Sequence, residues 1–339
     1  MNTIGNTFRF TSFGESHGPA IGGIIDGCPS GMRIDISVIN AALQRRCRTS
    51  FGTSQRAADE RDEVEWLSGL LDGVTLGTPI AFLIRNTDAR SSDYEDLADV
   101  FRPGHADEAY QLKYGIRDYR GGGRASARET AARVVAGCIA MQIIATKGIK
   151  IEAEVVQVGK ALTDYEDIIT QAAEEGDSVG GVVRCLIKGM PAGIGEPVFG
   201  KLQSQLAAAM MSIPACRGFF FGHIEKLSSV TPDTIPFAAM RGSANNKLSD
   251  GISGGITDGA DICFSCVFKP TPSISQPQMM RVQSAHSVSD NSADDTYRKV
   301  SIKGRHDVCV AMRAAPVVEA MAALVLADNM LSRTTARNE

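Results

Sequence analysis

The order of apolar and polar positions predicts short strands interrupted by a few strongly apolar helices. Thr7 to Ser12 and Ala20 to Asp26 read as strands, joined by Phe13-Gly14-Glu15-Ser16-His17-Gly18-Pro19. After Asp35, a good N-cap, Ile36, Ile39 and Leu43 recur at helical spacing. They predict a helix to about Arg46 with those three on its buried side. Val64 to Leu71 and Ile80 to Arg85 read as a strand pair around Asp72-Gly73. From Ala127 the pattern becomes a long apolar helix carrying Val134, Val135, Cys138 and Ile139. Ser126 and Glu129 have capping-box spacing at its start, and Gly148 is a natural stop.

Ile149 to Val158 and Val182 to Ile187 read as strands, the latter with Arg184 and Lys188 on its solvated side. Between them, Thr163-Asp164-Tyr165-Glu166 is a second capping box, opening an acidic exposed helix that ends by Gly176. From Val198 onward the plan repeats itself in outline. Val198, Leu202, Leu206, Ala209 and Met210 predict a buried helix, and Gly218 to Gly222 and Asp261 to Phe268 predict strands. The last helix is placed from Pro316, an N1-like position, to about Leu331. Ser284 to Asp295 is the most loop-like stretch. Strands grouped before and after each helix predict an α+β fold with antiparallel sheets, as one domain over 1–339. Neither a dinucleotide-binding glycine motif nor a P-loop occurs.

Composition narrows the partners. With 339 residues and 43% hydrophobic content, the chain is globular and buries a large core. A net charge of −4 makes any arginine cluster local, which argues against a broad nucleic-acid surface. Met1 to Phe10 lacks the pattern of a secretory signal, and the apolar run Ala314 to Ala327 carries Glu319 and falls short of a bilayer span. A cytoplasmic protein without membrane partners is expected. Eight cysteines are scattered singly except for Cys263 and Cys266. That pair lies in a strand-like run where a spacing of three points to opposite faces, so reduced core thiols are expected rather than a metal site.

Candidate chemistry concentrates between Arg102 and Arg133. Arg102-Pro103-Gly104-His105 is a rigid turn presenting a cation and a titratable ring. Gly121, Gly122 and Gly123 precede the long helix, where free N–H groups favour anions. Arg120, Arg124 and Arg128 are placed around the same spot, and guanidinium groups grip phosphate or carboxylate in bidentate fashion. A polyanionic small molecule is the leading ligand. An RNA-binding reading lacks interleaved aromatic stacking platforms. An oxidoreductase with net hydride transfer is the other alternative.

Five motifs stand together in order: Gly14 to Gly18, Arg102 to Asp107, Gly121 to Thr130, Lys269-Pro270-Thr271-Pro272-Ser273-Ile274, and Lys303-Gly304-Arg305-His306-Asp307. With them the chain resembles the chorismate synthase family from about Asn2 to Leu331. The resemblance implies a helical layer between antiparallel sheets, two similar halves and a homotetramer. It implies 1,4-anti-elimination of phosphate from 5-enolpyruvylshikimate-3-phosphate to give chorismate. Reduced FMN is required without net redox change, and NADPH is the reductant in members that reduce their own flavin.

Residue roles follow the motifs. His17 and His105 match the two active-site histidines, expected as proton donors, and Asp307 is grouped with them. Ser16, Arg46, Arg102, Arg128 and Arg305 match substrate positions. Arg124, Ala125, Ser126, Pro214, Ala215, Gly254, Lys269, Pro270, Thr271, Pro272, Ser273 and again Arg305 match flavin positions. The chain departs from the family pattern at Arg46 to Phe51, which is a residue shorter with Phe51 in place of an arginine. It also departs at Ala125, usually Ser, and at Ser249-Asp250-Gly251, usually Asn-rich.

Overall fold

The computed structural model describes residues 1–47, 62–87, 91–221, 251–283, 296–302 and 307–332. Outside them lie Arg48 to Phe51, His223, Ser249, Asp250, the stretch Ser284 to Asp295 with His286, and Lys303 to His306 including Arg305.

In the first half, β1 (Thr3–Ile4), β2 (Arg9–Phe13) and β3 (Ala20–Asp26) precede α1 (Ile36–Cys47). Next come β4 (Val64–Trp66), the hairpin of β5 (Leu70–Leu71) and β6 (Val74–Thr75), and β7 (Ile80–Arg85). The antiparallel sheet has the order β1-β2-β3-β7-β4. Then β8 (Val100–Phe101), α2 (Asp107–Tyr114) and α3 (Thr130–Ala145) lead to β9 (Lys150–Val158). After α4 (Tyr165–Glu174) follow β10 (Gly181–Lys188), α5 (Leu202–Met211) and β11 (Cys216–Phe221). The hairpin β12 (Ile252–Ser253) and β13 (Ile256–Thr257) precedes β14 (Ile262–Phe268), β15 (Gln278–Val282), β16 (Tyr297–Val300) and α6 (Ala311–Ser332). The second sheet is β11-β14-β10-β9, and β16-β15-β8 forms a small third one.

The chain is thus α+β, with a helical layer between two antiparallel sheets. Helix α3 packs on β2, β3 and β9, while α6 packs on β9, β10 and the other helices. Both are apolar on every side because both are covered on every side. They cross closely: a Cβ on Gly137 of α3 would collide with the backbone and Cβ of Ala320 on α6. By length and composition α6 could cross a membrane, but 83% of its apolar window is buried within the fold.

Two acids are embedded in this layer. Glu319 of α6 accepts from both Arg45 Nη atoms at 2.9 Å and from the Ala153 amide at 2.9 Å. Asp328, four residues from the end of α6, accepts from the amides of Asn6 (3.0 Å), Thr7 (2.6 Å) and Phe8 (2.9 Å). Replacing it by Ala orphans three donors, and hydrogen bonds to a charged acceptor contribute about 1.5–3 kcal/mol. We expect Asp328→Ala to lose about that much stability, read as a lower denaturant midpoint. A midpoint unchanged from wild type would contradict it.

Several local expectations need correction. Ile36 is 37% exposed and lies off the buried face of α1, which Ile39 and Leu43 occupy. The Asp35 cap does form, accepting from the Ser37 amide at 2.9 Å. Val198 stays outside α5, 64% exposed in a 3₁₀ turn after Pro197 with φ of +55°. At the second capping box the N-cap is Asp164 at φ of +54°, with no side-chain cap bond, because Thr163 Oγ1 donates to the Asp164 carboxylate instead. Helix α6 begins five residues before Pro316. Arg313 anchors that extra turn, donating to the Arg46 carbonyl and the Asp307 carboxylate, both at 2.8 Å.

Candidate active site

The long helix does not start at the glycine run. Gly123–Ala125 and Ala127–Glu129 form two 3₁₀ turns, and α3 begins only at Thr130. Ser126 caps the second turn, its Oγ accepting from the Arg128 amide at 3.3 Å. Glu129 does not complete a capping box, because its carboxylate is drawn to Arg133 one turn on, at 2.9 Å. The turns swing Arg124 and Arg128 toward one cavity of about 1240 Å³. Arg120 is not among its walls; it folds back on Asp118 at 2.8 Å, half exposed.

Three groups of residues build this cavity. The first is Asp62, 2% exposed, between Arg46 and Arg128. Arg46 donates to its Oδ2 at 3.2 Å, and also reaches Thr130 Oγ1 (3.0 Å) and the Ala127 carbonyl (3.1 Å). Arg128 donates to Asp62 Oδ1 and, through Nε, to Asn86 Oδ1 at 2.9 Å. Burial works to raise the Asp62 pKa, but the charges of the two arginines outweigh it and hold the carboxyl below its usual range.

The second group is the Arg102–Asp107 turn. Arg102 grips Asp107 with Nε (2.7 Å) and Nη2 (2.8 Å), both side chains almost fully buried. His105 Nδ1 lies 2.8 Å from Asp107 Oδ1. A ring donating Nδ1–H to this carboxylate leaves Nε2 as the acceptor. Nε2 rests over Gly122, where a Cβ would come within 2.8 Å of it. Burial lowers the His105 pKa first and the Arg102 charge adds to this, while the hydrogen bond to Asp107 pulls it back up. Burial would raise Asp107, but hydrogen bonds from Arg102 and His105 hold it far below the carboxylate range.

The third group lies across the cavity. Lys269 donates to the Gly104 carbonyl and ties its loop to the histidine turn. Burial pushes its ammonium pKa down. Thr271, Pro272, Ser273, Pro214 and Ala215 complete that wall, with Ala215 at φ of +67°. Thr271 Oγ1 is buried with no hydrogen-bond partner among the described residues. Asp307 lines the cavity beside Arg313.

Other sequence-nominated residues fall elsewhere. Ser16 and His17 lie one layer behind the cavity wall, Ser16 Oγ to His17 Nδ1 at 3.1 Å. The His17 ring fills the space a Cβ on Gly121 would need, and meets the Tyr94 ring edge-on at 4.9 Å. Arg124 lines the cavity but is tethered to Ser12 Oγ (2.6 Å) and the Gly14 carbonyl (3.1 Å). Pro270 stands against Gly180, and Gly254 tops the β12–β13 hairpin at φ of +64°; neither belongs to the wall.

Residues of the Arg102–Asp107, Gly121–Thr130 and Lys269–Ile274 motifs, with Asp307, therefore share one basic cavity. The family model for chorismate synthase matches residues 8–331. The chain belongs to the chorismate synthase family. A chorismate synthase of Porphyromonas gingivalis is 45% identical over 380 residues, covering 99% of this chain and 97% of that protein. One of Cytophaga hutchinsonii is also 45% identical, over 369 residues and 99% of each chain. A crystal structure of chorismate synthase matches with a TM-score of 0.70 at 27% identity, covering 98% of this chain and 94% of that one. Membership in the chorismate synthase family makes the chain a carbon–oxygen lyase acting on phosphates.

Three residues around the site lie outside every motif: Asp62, Asn86 and Tyr94. Asp107 closes the Arg102–Asp107 motif, but the motif gave it no role of its own. The others come from segments distant in sequence, and only the fold delivers them.

Proposed function

We propose that this chain carries out the 1,4-anti-elimination of phosphate from 5-enolpyruvylshikimate-3-phosphate to chorismate, with reduced FMN and no net redox change. The observation that carries this reading is one cavity walled by Arg46, Arg102, Arg124, Arg128 and Lys269, with a carboxylate-oriented histidine among them. Two carboxylates and a phosphate on the substrate, with a further phosphate on FMN, need that much positive charge in a desolvated site.

The cavity also fits the cofactor. Its volume exceeds the roughly 300–1,000 Å³ that holds one drug-sized ligand, which leaves room for substrate and flavin together. Thr271 Oγ1 offers an unused donor on the side where Lys269 and Ser273 match flavin positions. When bound, reduced FMN supplies the electron-rich partner that accepts the ring hydrogen. This chain's residues hold the leaving phosphate in Arg102 and Arg128, exclude water, and present His105 Nε2 as a site for a proton. NADPH as reductant, a homotetramer, a single domain over 1–339 and a cytoplasmic, aromatic-biosynthetic role belong to the same proposal.

Phosphate release under anaerobic conditions tests it. We expect turnover with photoreduced FMN, none with oxidised FMN alone, and flavin still reduced at the end. Flavin oxidised in step with substrate would replace the lyase reading by a net oxidoreductase. In the same assay Arg102→Lys should weaken substrate binding by about 1.5–3 kcal/mol, a bidentate fork becoming a point charge.

A further inference from the structure

Asn86 stands at the end of β7, and no motif includes it. Its amide is used to capacity. Nδ2 donates to the carbonyls of Glu15 (3.0 Å) and Gly18 (2.8 Å), the two ends of the turn that carries Ser16 and His17. Oδ1 accepts from Arg128 Nε at 2.9 Å. The Asn86 backbone N–H also donates to the Pro19 carbonyl at 3.1 Å, and Arg128 Nη2 to the Arg85 carbonyl at 3.3 Å. Only an amide fits: two donors must face two carbonyls while an acceptor faces a guanidinium.

These contacts close a ring. The Ser16 amide donates to the Gly123 carbonyl at 3.4 Å, and the His17 ring lies under Gly121. From Gly123 two 3₁₀ turns run to Arg128, which returns to Asn86. The histidine turn, the glycine run and the anion-binding arginine are thus held in one register by a single side chain. We infer that Asn86 is a positioning residue, fixing the His17 turn, and the Gly121 wall it backs, relative to Arg128. This rests on the proposed lyase reaction, in which Arg128 holds the substrate against that wall.

The two halves of the amide separate in Asn86→Asp. The carboxylate keeps an acceptor for Arg128 but sets oxygen against the Glu15 and Gly18 carbonyls. A shift of the histidine turn of the order of 1 Å costs about 10²-fold in rate. Asn86→Asp should therefore lower kcat by about 10–100-fold while the KM for 5-enolpyruvylshikimate-3-phosphate stays near wild type. Asn86→Ala releases both sides, so kcat falls and KM rises by about tenfold, from a lost bond to a charged group. That rise in KM should vanish when Asn86→Ala is made in an Arg128→Lys background.

A second readout needs no turnover. With ¹⁵N-labelled histidine, the His17 ring resonances should move in Asn86→Asp, and those of His105 should stay in place. Wild-type kcat in Asn86→Asp overturns the inference, as does an unmoved His17 resonance. Loss of thermal stability with kcat and KM intact reduces Asn86 to a structural residue and overturns it too. If wild type itself lacks lyase activity, the functional reading fails, and the His17 resonances still decide whether Asn86 fixes that turn. A poorly folding Asn86→Ala leaves the near-isosteric Asn86→Asp to decide.

Discussion

Turnover of a His105→Ala variant with reduced FMN should fall by about 10²–10⁴-fold, the range for a general acid–base group. The ring is almost buried, fixed by Asp107 through Nδ1, and turns Nε2 toward Gly122. Its pKa is held down by burial and by Arg102, so the neutral ring dominates at pH 7. A substrate carrying several negative charges counters the Arg102 charge and favours the protonated ring. Binding should therefore take up protons near pH 7, which calorimetry in buffers of different ionisation enthalpy measures directly. His105→Ala should bind without this uptake. Because the folded pKa lies below the unfolded value of about 6.5, the ring's contribution to stability is present above that pH. It is lost as pH falls through the folded value. Asp107→Asn removes the influence that raises the pKa, so the acid limb of the pH–rate profile should move to lower pH. Full turnover in His105→Ala would dismiss the ring as a participant.

Asp62→Ala should be the most destabilising single change at the site. Its side chain is 2% exposed between Arg46 and Arg128, themselves 2% and 6% exposed. Removing one partner of a buried ion pair costs about 3–5 kcal/mol because an uncompensated charge is left behind. Here two guanidinium groups lose the same carboxylate. Such a loss has a signature that a packing defect lacks, since an added anion replaces the missing charge. Inorganic phosphate at 100 times its dissociation constant should restore about 2.7 kcal/mol. We expect a large drop in melting temperature, and a phosphate-dependent recovery that wild type shows only weakly. The lowered Asp62 pKa also means its contribution is present above the unfolded carboxylate value and fades as pH falls through the folded one. A melting temperature unaffected by phosphate would refute the electrostatic account.

The sequence was informative wherever a periodicity or a cap is local. The strand Ala20–Asp26 and the Gly148 stop after α3 are as read. The start of α6 was misplaced because Pro316 is a good N1 residue, and only tertiary anchoring of Arg313 by Asp307 and Arg46 carries the helix past it. At the site, glycine and arginine spacing named the right segments, yet it could not tell Arg124, which lines the cavity, from Arg120, which folds onto Asp118. Nor could it reveal that His17 sits behind Gly121, since depth in a wall depends on packing between distant segments. Asp62 and Asn86 were invisible for the same reason. Each lies in an unremarkable strand flank and meets Arg128 across 66 and 42 residues of chain, respectively.

The grip of Asp328 on Asn6, Thr7 and Phe8 spans 320 or more residues. Contacts of such separation are assembled late, because the loop they close must first be ordered at an entropic cost. During synthesis β2 and β3 emerge long before the helix that caps the preceding turn, so the first sheet matures only when α6 docks. A bond absent from the rate-limiting step acts on escape from the native state rather than on arrival. Loosening it should shorten the lifetime of the folded protein while leaving its refolding rate almost unchanged, so that Asp328 serves as a kinetic latch.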